Sequence, residues 1–505
     1  MLLANNYNPD VLTCLANLSN DEVFTPPQVV SQMLDMLPAE LFRSTKTTFL
    51  DPVSKSGVFL REIAKRLMAG LADEIPDIHE RADHIFTHQL YGIGITELTS
   101  YLSRRSVYCS KYANGRYSVC TKFKDEQGNI RFRPTEHTFV GGRCSYCGAS
   151  EDVFGPRVRT DLESHAYEFI HTNDPEKLFK NMKFDVIIGN PPYQLDTAGA
   201  GRQARPIYNL FVEQAKKLNP RFLSMIIPSR WFAGGIGLDE FRDTMKADKR
   251  IHKIVDYANA KDCFPQNSIS GGVCYFLWER DYNGPCDFVN ISGQSTKTLT
   301  RYLDEYPVLV RYNDAISIIH KVLAFNETSL STIVGSLMPY GLSTNVRGRK
   351  IKEKGDYALF ASDGVTYIKP DEITKGFDTV DKYKVLISKV SSEHAGEPGR
   401  DGKFKVLTTS TKVIGPKDVC THSYLLVGNY DEKATADNLC EYLYTSFVRF
   451  LVWASMSSIN ISKAVFTFVP LQDFSHPWTD AMLYEKYDLT DEEIAFIESM
   501  IRPME

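Results

Sequence analysis

Residues 184–193 read Phe-Asp-Val-Ile-Ile-Gly-Asn-Pro-Pro-Tyr. An apolar run of strand length delivers a glycine, an amide, two prolines and an aromatic ring. Gly189 lets the backbone turn sharply, while Pro191 and Pro192 remove two donors and stiffen the chain beyond the turn. Asn190 is thereby held at the carboxyl end of a strand, where open α/β sheets place their ligands. Its amide oxygen and the Pro191 carbonyl can accept N–H bonds from a flat heterocycle bearing an exocyclic amine. The Tyr193 ring offers a face on which that heterocycle stacks. The same tetrapeptide also arises as a plain turn after a strand, so its neighbours carry weight.

Four cysteines form a second reactive set: Cys109, Cys120, Cys144 and Cys147. The last two stand as Cys-Ser-Tyr-Cys-Gly, a metal-knuckle spacing; the first two are irregularly spaced. The stretch around them, an insertion over about 106–160, is too polar to hold itself together. A four-thiolate zinc site would stabilise it, with His137 as a substitute for one ligand. Such a site is structural, because protein fills every position. Four free thiols in a reducing compartment are the alternative. Cys274 and Cys440 sit in apolar runs and read as core.

The elements that must position these groups alternate strand and helix. Thr25, ahead of Pro26-Pro27, can cap a helix over Gln28–Leu37. A strand at Thr47–Leu50 runs into Asp51-Pro-Val-Ser-Lys-Ser-Gly-Val-Phe-Leu60, and Phe59, Ile63, Leu67 and Leu71 keep helical spacing. Strand, Ser/Gly turn and helix form the unit that seats a cofactor at a helix N-terminus. Further strands are expected at Gln89–Ile95, Ala166–His171, Phe184–Gly189, Leu223–Pro228, Ile251–Tyr257 and Gly272–Glu279. Helices are expected over Leu98–Arg105, Tyr208–Leu218 and Leu238–Lys246. The fold class is α/β, a doubly wound, mostly parallel sheet whose last strands have undecided direction.

Past about residue 330 short strand-like pieces appear among Gly/Lys-rich loops, with an exposed loop over Ser391–Lys403. Helices are expected at Asn438–Trp453 and Tyr484–Met500. The division is therefore 1–330 and 331–505, the second part a separate mixed α+β domain. No apolar stretch approaches the length needed to cross a membrane, and the first residues carry no secretory signal, which points to the cytoplasm. Net charge over the 505 residues is −5, but unevenly spread. Residues 101–160 hold 11 Lys/Arg against 5 Asp/Glu, 341–417 hold 15 against 10, and 418–505 reverse to 5 against 14. Two basic regions suit a face presented to a polyanion, with ordinary surface charge as the rival account. Arg347, Arg349, Lys350, Lys352 and Lys354 cluster where phosphates would be held, or where a loop is merely solvated.

In order, Phe-Thr-Pro-Pro, Asp-Pro-x-x-x-Ser-Gly-x-Phe-Leu, Gly-x-x-Glu and Asp-Val-Ile-Ile-Gly-Asn-Pro-Pro-Tyr resemble the gamma-class N6-adenine DNA methyltransferases of restriction–modification systems. The segments Arg221–Trp231 and Ile269–Trp278 are also similar to later parts of that catalytic domain, so the resemblance covers about 20–280. It implies a class I S-adenosylmethionine-dependent methyltransferase fold and methyl transfer to a flipped-out adenine in double-stranded DNA. It also implies a C-terminal target-recognition domain and, where restriction occurs, a separate restriction or helicase subunit. In that family Thr25 would hydrogen-bond the methionine end of the cofactor. Asp51 and the turn through Ser54 and Gly57 would wrap methionine and ribose, and Glu97 would take the ribose hydroxyls. Asp174 would flank the adenine, with Asn173 and Asp161 as rivals. The bland readings are a helix cap for Thr25 and a helix-start acid for Glu97.

One departure stands out: Lys55 occupies a turn position where the family carries glycine. Either the loop takes another path with Lys55 outward, which is the favoured expectation, or cofactor binding suffers. RNA-adenine or protein-glutamine methylation uses the same tetrapeptide, and a non-catalytic DNA-recognition subunit would also keep this fold. Asp378, Asp381 and Lys384 are a weak candidate for a fused nuclease.

Overall fold

The computed structural model describes residues 23–155, 166–180, 182–195, 205–235, 237–267, 269–391, 398–399, 401–456 and 460–504. Asp161 and most of the Ser391–Lys403 loop lie outside them. The chain separates into two compact units, Met1–Trp231 with Gly235–Glu305, and Phe232–Gly234 with Tyr306–Glu505. The helix over Asn313–Ala324 thus belongs to the second unit, whereas a division at 330/331 leaves it with the first.

The first unit begins with α1 (Pro27–Asp35), β1 (Phe49–Ser54), α2 (Val58–Gly70), α3 (Ile78–His84), β2 (Leu90–Gly94) and α4 (Glu97–Tyr108). Next come β3 (Ile130–Arg131), the hairpin β4 (Phe139–Val140) and β5 (Arg143–Cys144), and α5 (Glu151–Phe154). Strand β6 (Val186–Gly189) leads to the pair β7 (Gln194–Leu195) and β8 (Arg205–Pro206), then α6 (Tyr208–Lys217) and β9 (Phe222–Pro228). Helix α7 (Asp239–Ala247), β10 (Ile251–Tyr257), β11 (Val273–Glu279), β12 (Cys286–Ser292) and β13 (Ser295–Arg301) complete it.

Nine of these strands form one sheet in the order β13-β12-β10-β11-β9-β6-β1-β2-β3. The strands from β9 to β3 are mutually parallel. β11 inserts antiparallel between β9 and β10, which settles the direction the sequence leaves open. β1, β6 and β9 are buried along their whole length, as strands covered on both faces must be. Strand order reverses between β1 and β6, so the crevice at their carboxyl ends is the natural ligand position. This strand order is that of the class I methyltransferase fold, extended by the β12–β13 hairpin.

Two corrections concern strands. Ala166–His171 is not a strand, because Ile130 and Arg131 already pair with Gly92 and Ile93 at the β2 edge. The segment instead turns, with Ile170 and His171 both donating backbone N–H bonds to the Tyr167 carbonyl. It packs on α6, where Gln214 donates to the carbonyls of Phe169 and Thr172 at 3.1 and 2.7 Å. Secondly, β12 and β13 add to a strand supply expected to end at Glu279.

The second unit holds α8 (Asn313–Ala324), β14 (Tyr357–Ala361), β15 (Gly364–Ile368), α9 (Phe377–Val380), β16 (Tyr383–Ser388), β17 (Lys412–Ile414), β18 (Asp418–Cys420) and β19 (Tyr424–Tyr430). These strands form two three-stranded sheets, β15-β14-β18 and β17-β16-β19. The helix expected over Asn438–Trp453 is two, α10 (Lys433–Tyr444) and α11 (Ser446–Ser455), because Thr445 leaves helical geometry and its hydroxyl caps the second at Val448. The helix expected over Tyr484–Met500 likewise splits into α12 (Asp480–Lys486) and α13 (Asp491–Met500). Asp488 adopts φ +49°, and Thr490 and Glu493 make a capping box that starts the second helix.

Candidate active site and a Cys–His cluster

The crevice at the carboxyl ends of β1 and β6 is lined by Val23, Thr25, Asp51, Lys55, Gly57 and Asn190, among others. Asn190 is buried, and its amide has a fixed orientation. Nδ2 donates to the Val23 carbonyl and to Thr25 Oγ1, both at 3.0 Å. Because a carbonyl only accepts, Oδ1 must face the other way, and it is buried with no hydrogen-bond partner. Pro191 and Pro192 are buried beside it. Tyr193 is half-buried; its hydroxyl is enclosed without a partner, while part of the residue stays accessible.

Thr25 therefore does something the sequence did not disclose. It is not a helix cap: Pro26 occupies that position and no side chain caps α1. The Thr25 hydroxyl is instead an acceptor for the Asn190 amide. The Val23 carbonyl, with no side-chain signal at all, is its companion.

Asp51 is buried and accepts the Val53 N–H at 3.1 Å. Burial pushes its carboxyl up to about 7, against the lowering effects of the Val53 N–H, Ser54 and the Lys55 charge. Gly189 is required here, since a Cβ at that position would lie 2.9 Å from Asp51 Oδ1 and 2.8 Å from Val53 Cγ2. Ser54 is not among the lining residues, and its hydroxyl lies 2.5 Å from that of Ser103 on α4. Gly57 precedes α2 with φ +74°, and a Cβ there would lie 2.9 Å from the Ser103 backbone. No side chain caps α2, so its first-turn N–H groups are directed at the crevice without a capping acceptor.

Lys55 overturns the favoured expectation in one respect. Its loop does follow another path, since Lys55 is absent from the residues with positive φ. Yet the side chain points inward: it is buried and its ammonium donates to the Val23 carbonyl at 3.1 Å.

Glu97 is exposed at the start of α4, after β2, and accepts the Tyr101 hydroxyl at 2.5 Å. Asp174 is not among the residues lining the crevice; it is half-buried, precedes the turn Pro175–Phe179 and pairs with Lys177 at 2.8 Å.

The cysteines sort differently from the expected set. His137, Cys144, Cys147 and His171 bring their ligand atoms within 4.8 Å of one another. Cys109 is exposed at the end of α4. Cys120 is buried in the apolar core formed with Tyr108 and Ile130. Of the four cysteines expected to share a site, Cys144 and Cys147 fall in this cluster and Cys109 and Cys120 do not; His137 joins it, and so does His171, which neither spacing nor motif links to the knuckle.

In the second unit the basic cluster is partly spoken for. Arg347 pairs with Asp363 at 2.7 Å, and Arg349 with Glu353 and Asp356 at 2.5 Å each. Lys350, Lys352 and Lys354 are exposed. Lys384 is fully buried, its ammonium held by backbone carbonyls, which removes it from any exposed nuclease site. Among the described residues, no helix is long and apolar enough to cross a membrane.

Residues 88–264 match the Eco57I restriction-modification methylase family. Over 301 residues the chain is 40% identical to an uncharacterised adenine-specific methylase of Mycoplasma pneumoniae, covering 54% of this chain and 71% of that protein. Among solved structures, the type IIG restriction endonuclease BpuSI superposes with a TM-score of 0.42 at 10% identity, over 96% of this chain and 61% of its own. The type IIL restriction-modification enzyme MmeI, solved with DNA, gives 0.42 at 11% identity, over 91% and 67%. The chain therefore spans less than two thirds of the length of BpuSI.

Proposed function

This chain belongs to the adenine-specific methylase family, and from that premise we propose that it methylates N6 of adenine in duplex DNA. The setting is a restriction–modification or phage-defence system, with S-adenosylmethionine as methyl donor. The observation that carries this reading is the orientation of Asn190, a crevice-lining residue: its Nδ2 is tied to Val23 and Thr25, which leaves Oδ1 a buried acceptor without a hydrogen-bond partner, beside the Tyr193 side chain. An exocyclic amine supplies a donor.

The residues present suit the cofactor. Asp51 and the uncapped first turn of α2 offer an acceptor and donors at the β1 end, and Glu97 offers a second carboxylate after β2, the neighbouring strand. S-Adenosylmethionine, when bound, supplies an electrophilic sulfonium methyl. Asn190 Oδ1 and the Pro191 carbonyl accept the two N–H bonds of the target amine, drawing its lone pair out of conjugation with the ring. Tyr193 stacks on the base. Catalysis is then positioning and electrostatic stabilisation. A stacked base cannot reach this crevice, so the adenine must leave the duplex. In the second unit, Lys350, Lys352 and Lys354 are suited to phosphates, consistent with target recognition. A separate restriction or helicase subunit would supply cleavage.

A second reading, a DNA-recognition module without transfer, draws on the inward Lys55, whose cation lies where a cationic cofactor would bind. Labelled methyl from S-adenosylmethionine, offered in parallel to unmethylated duplex DNA, RNA and protein, separates the possibilities. Transfer to DNA adenine that is lost in Asn190→Ala is the expected result. Absence of both transfer and calorimetric cofactor binding would favour the module.

A further inference from the structure

The knuckle Cys144-Ser-Tyr-Cys147-Gly148 closes on itself as metal knuckles do: the Gly148 N–H reaches the Cys144 carbonyl at 2.9 Å, and Gly148 adopts φ +73°. His137 Nδ1 lies 3.4 Å from Cys147 Sγ and 3.3 Å from His171 Nε2. Those separations are close to the ligand–ligand edges of a tetrahedron built on bonds of about 2.0–2.3 Å. His171 carries the outer contact that metal-binding imidazoles use. Its Nδ1–H donates to the Tyr167 carbonyl at 2.9 Å, which fixes the tautomer and turns the Nε2 lone pair toward the two sulfurs and His137.

We propose that His137, Cys144, Cys147 and His171 bind one zinc ion, and that this ion ties the knuckle to both chain segments that flank the catalytic strand. Thiolate pairs with imidazoles at tetrahedral spacing favour zinc over harder cations. Binding releases the two thiol protons, and Cys₂His₂ with Zn²⁺ is then electrically neutral, suited to a half-buried place. Upstream of β6, His171 belongs to the turn that α6 grips through Gln214. Downstream, the Arg205 guanidinium on β8 lies against Gly148, where a Cβ would meet its Nη1 at 1.9 Å. β8 in turn pairs with β7, the strand that directly follows Tyr193. The ion therefore braces the two approaches to Asn-Pro-Pro-Tyr without touching the reacting atoms. This holds whether or not the crevice transfers methyl groups.

The test is metal content of the full-length protein after dialysis against a weak chelator, by plasma mass spectrometry, with zinc-edge X-ray absorption on the same sample. About one zinc per chain with two sulfur and two nitrogen neighbours is expected. Four sulfur neighbours, or less than about a tenth of an equivalent after reconstitution with zinc chloride, would overturn it. Cys109→Ser and Cys120→Ser should keep the metal, whereas His171→Ala and Cys144→Ser should lose it. Should those two variants not fold, cobalt substitution of the wild type decides: intense visible bands of a tetrahedral Co²⁺ ion with two thiolates are expected, and pale octahedral bands would refute the site.

Discussion

Two buried sites, the crevice of the first unit and the surroundings of Lys384 in the second, treat their polar groups in opposite ways. In the crevice, Asn190 Oδ1 is enclosed without a partner and the Asp51 carboxyl is pushed up to about 7 by burial. In the second unit Lys384 is as deeply buried, yet its ammonium donates to the carbonyls of Thr379, Lys382 and Gly415 at 3.0 Å and of Val380 at 3.3 Å. Arg449 is similarly enclosed, donating to the Tyr444, Lys405 and Arg502 carbonyls at 3.0, 3.3 and 2.5 Å. A buried group with its full set of partners builds architecture; one left short of them is held ready for something that arrives.

Asn190→Ala should break that contrast most severely. Removing an acceptor that acts at the transition state should lower single-turnover methyl transfer about 10²–10³-fold while leaving thermal stability nearly unchanged. A variant with near-normal transfer would refute the role given to the amide. Lys384→Met should do the reverse. Four carbonyls lose their donor, at a cost of about 3 kcal/mol in folding free energy, with transfer per folded molecule preserved. Denaturant titration monitored by fluorescence reads the first quantity, and active-site-normalised transfer the second.

Asp51 sharpens the comparison through pH. Its folded pKa near 7, against 3.8 ordinarily, means the unfolded chain ionises while the fold keeps its proton. Stability with respect to this group is full below about 4, falls as pH rises toward about 7, and is level beyond. Relative to wild type, Asp51→Asn should therefore gain melting temperature as pH rises through that window. Cofactor affinity should move oppositely: ionised Asp51 favours a cationic ligand, so wild-type Kd tightens about tenfold through neutral pH and the variant's stays flat. A wild-type Kd independent of pH would remove Asp51 from the cofactor site. The smallest effect belongs to Lys55→Met, which takes a cation out of the crevice. Kd should tighten about fivefold, equivalent to about 1 kcal/mol, and the pH midpoint should rise because Lys55 holds the Asp51 pKa down.

The parts of this molecule that were legible in sequence are those governed by local periodicity. Ile251–Tyr257 matches β10, and the strands around Leu50, Gly92, Ile187 and Ile226 fall within a few residues of their expected limits. β3 escaped because two residues carry no periodicity, and Ala166–His171 misled because its apolar side chains face α6 rather than a sheet neighbour. In the site, the tetrapeptide and the Cys-x-x-Cys spacing were visible. The inward turn of Lys55, the Val23 carbonyl and His171 were not, since each depends on a contact distant in sequence. The helix break at Thr445 carries a cap residue, but two apolar runs on either side masked it.

That distance along the chain has a kinetic meaning. The hydrogen bonds orienting the Asn190 amide span 165 and 167 residues. Closing so large a loop comes after local helices and neighbouring strands have formed, because its entropy must be met before the contact gives anything back. During refolding, a molecule can therefore regain its secondary structure while the Asn190 side chain still rotates freely. Such a species would look native to circular dichroism and be inert toward adenine until Val23 and Thr25 arrive.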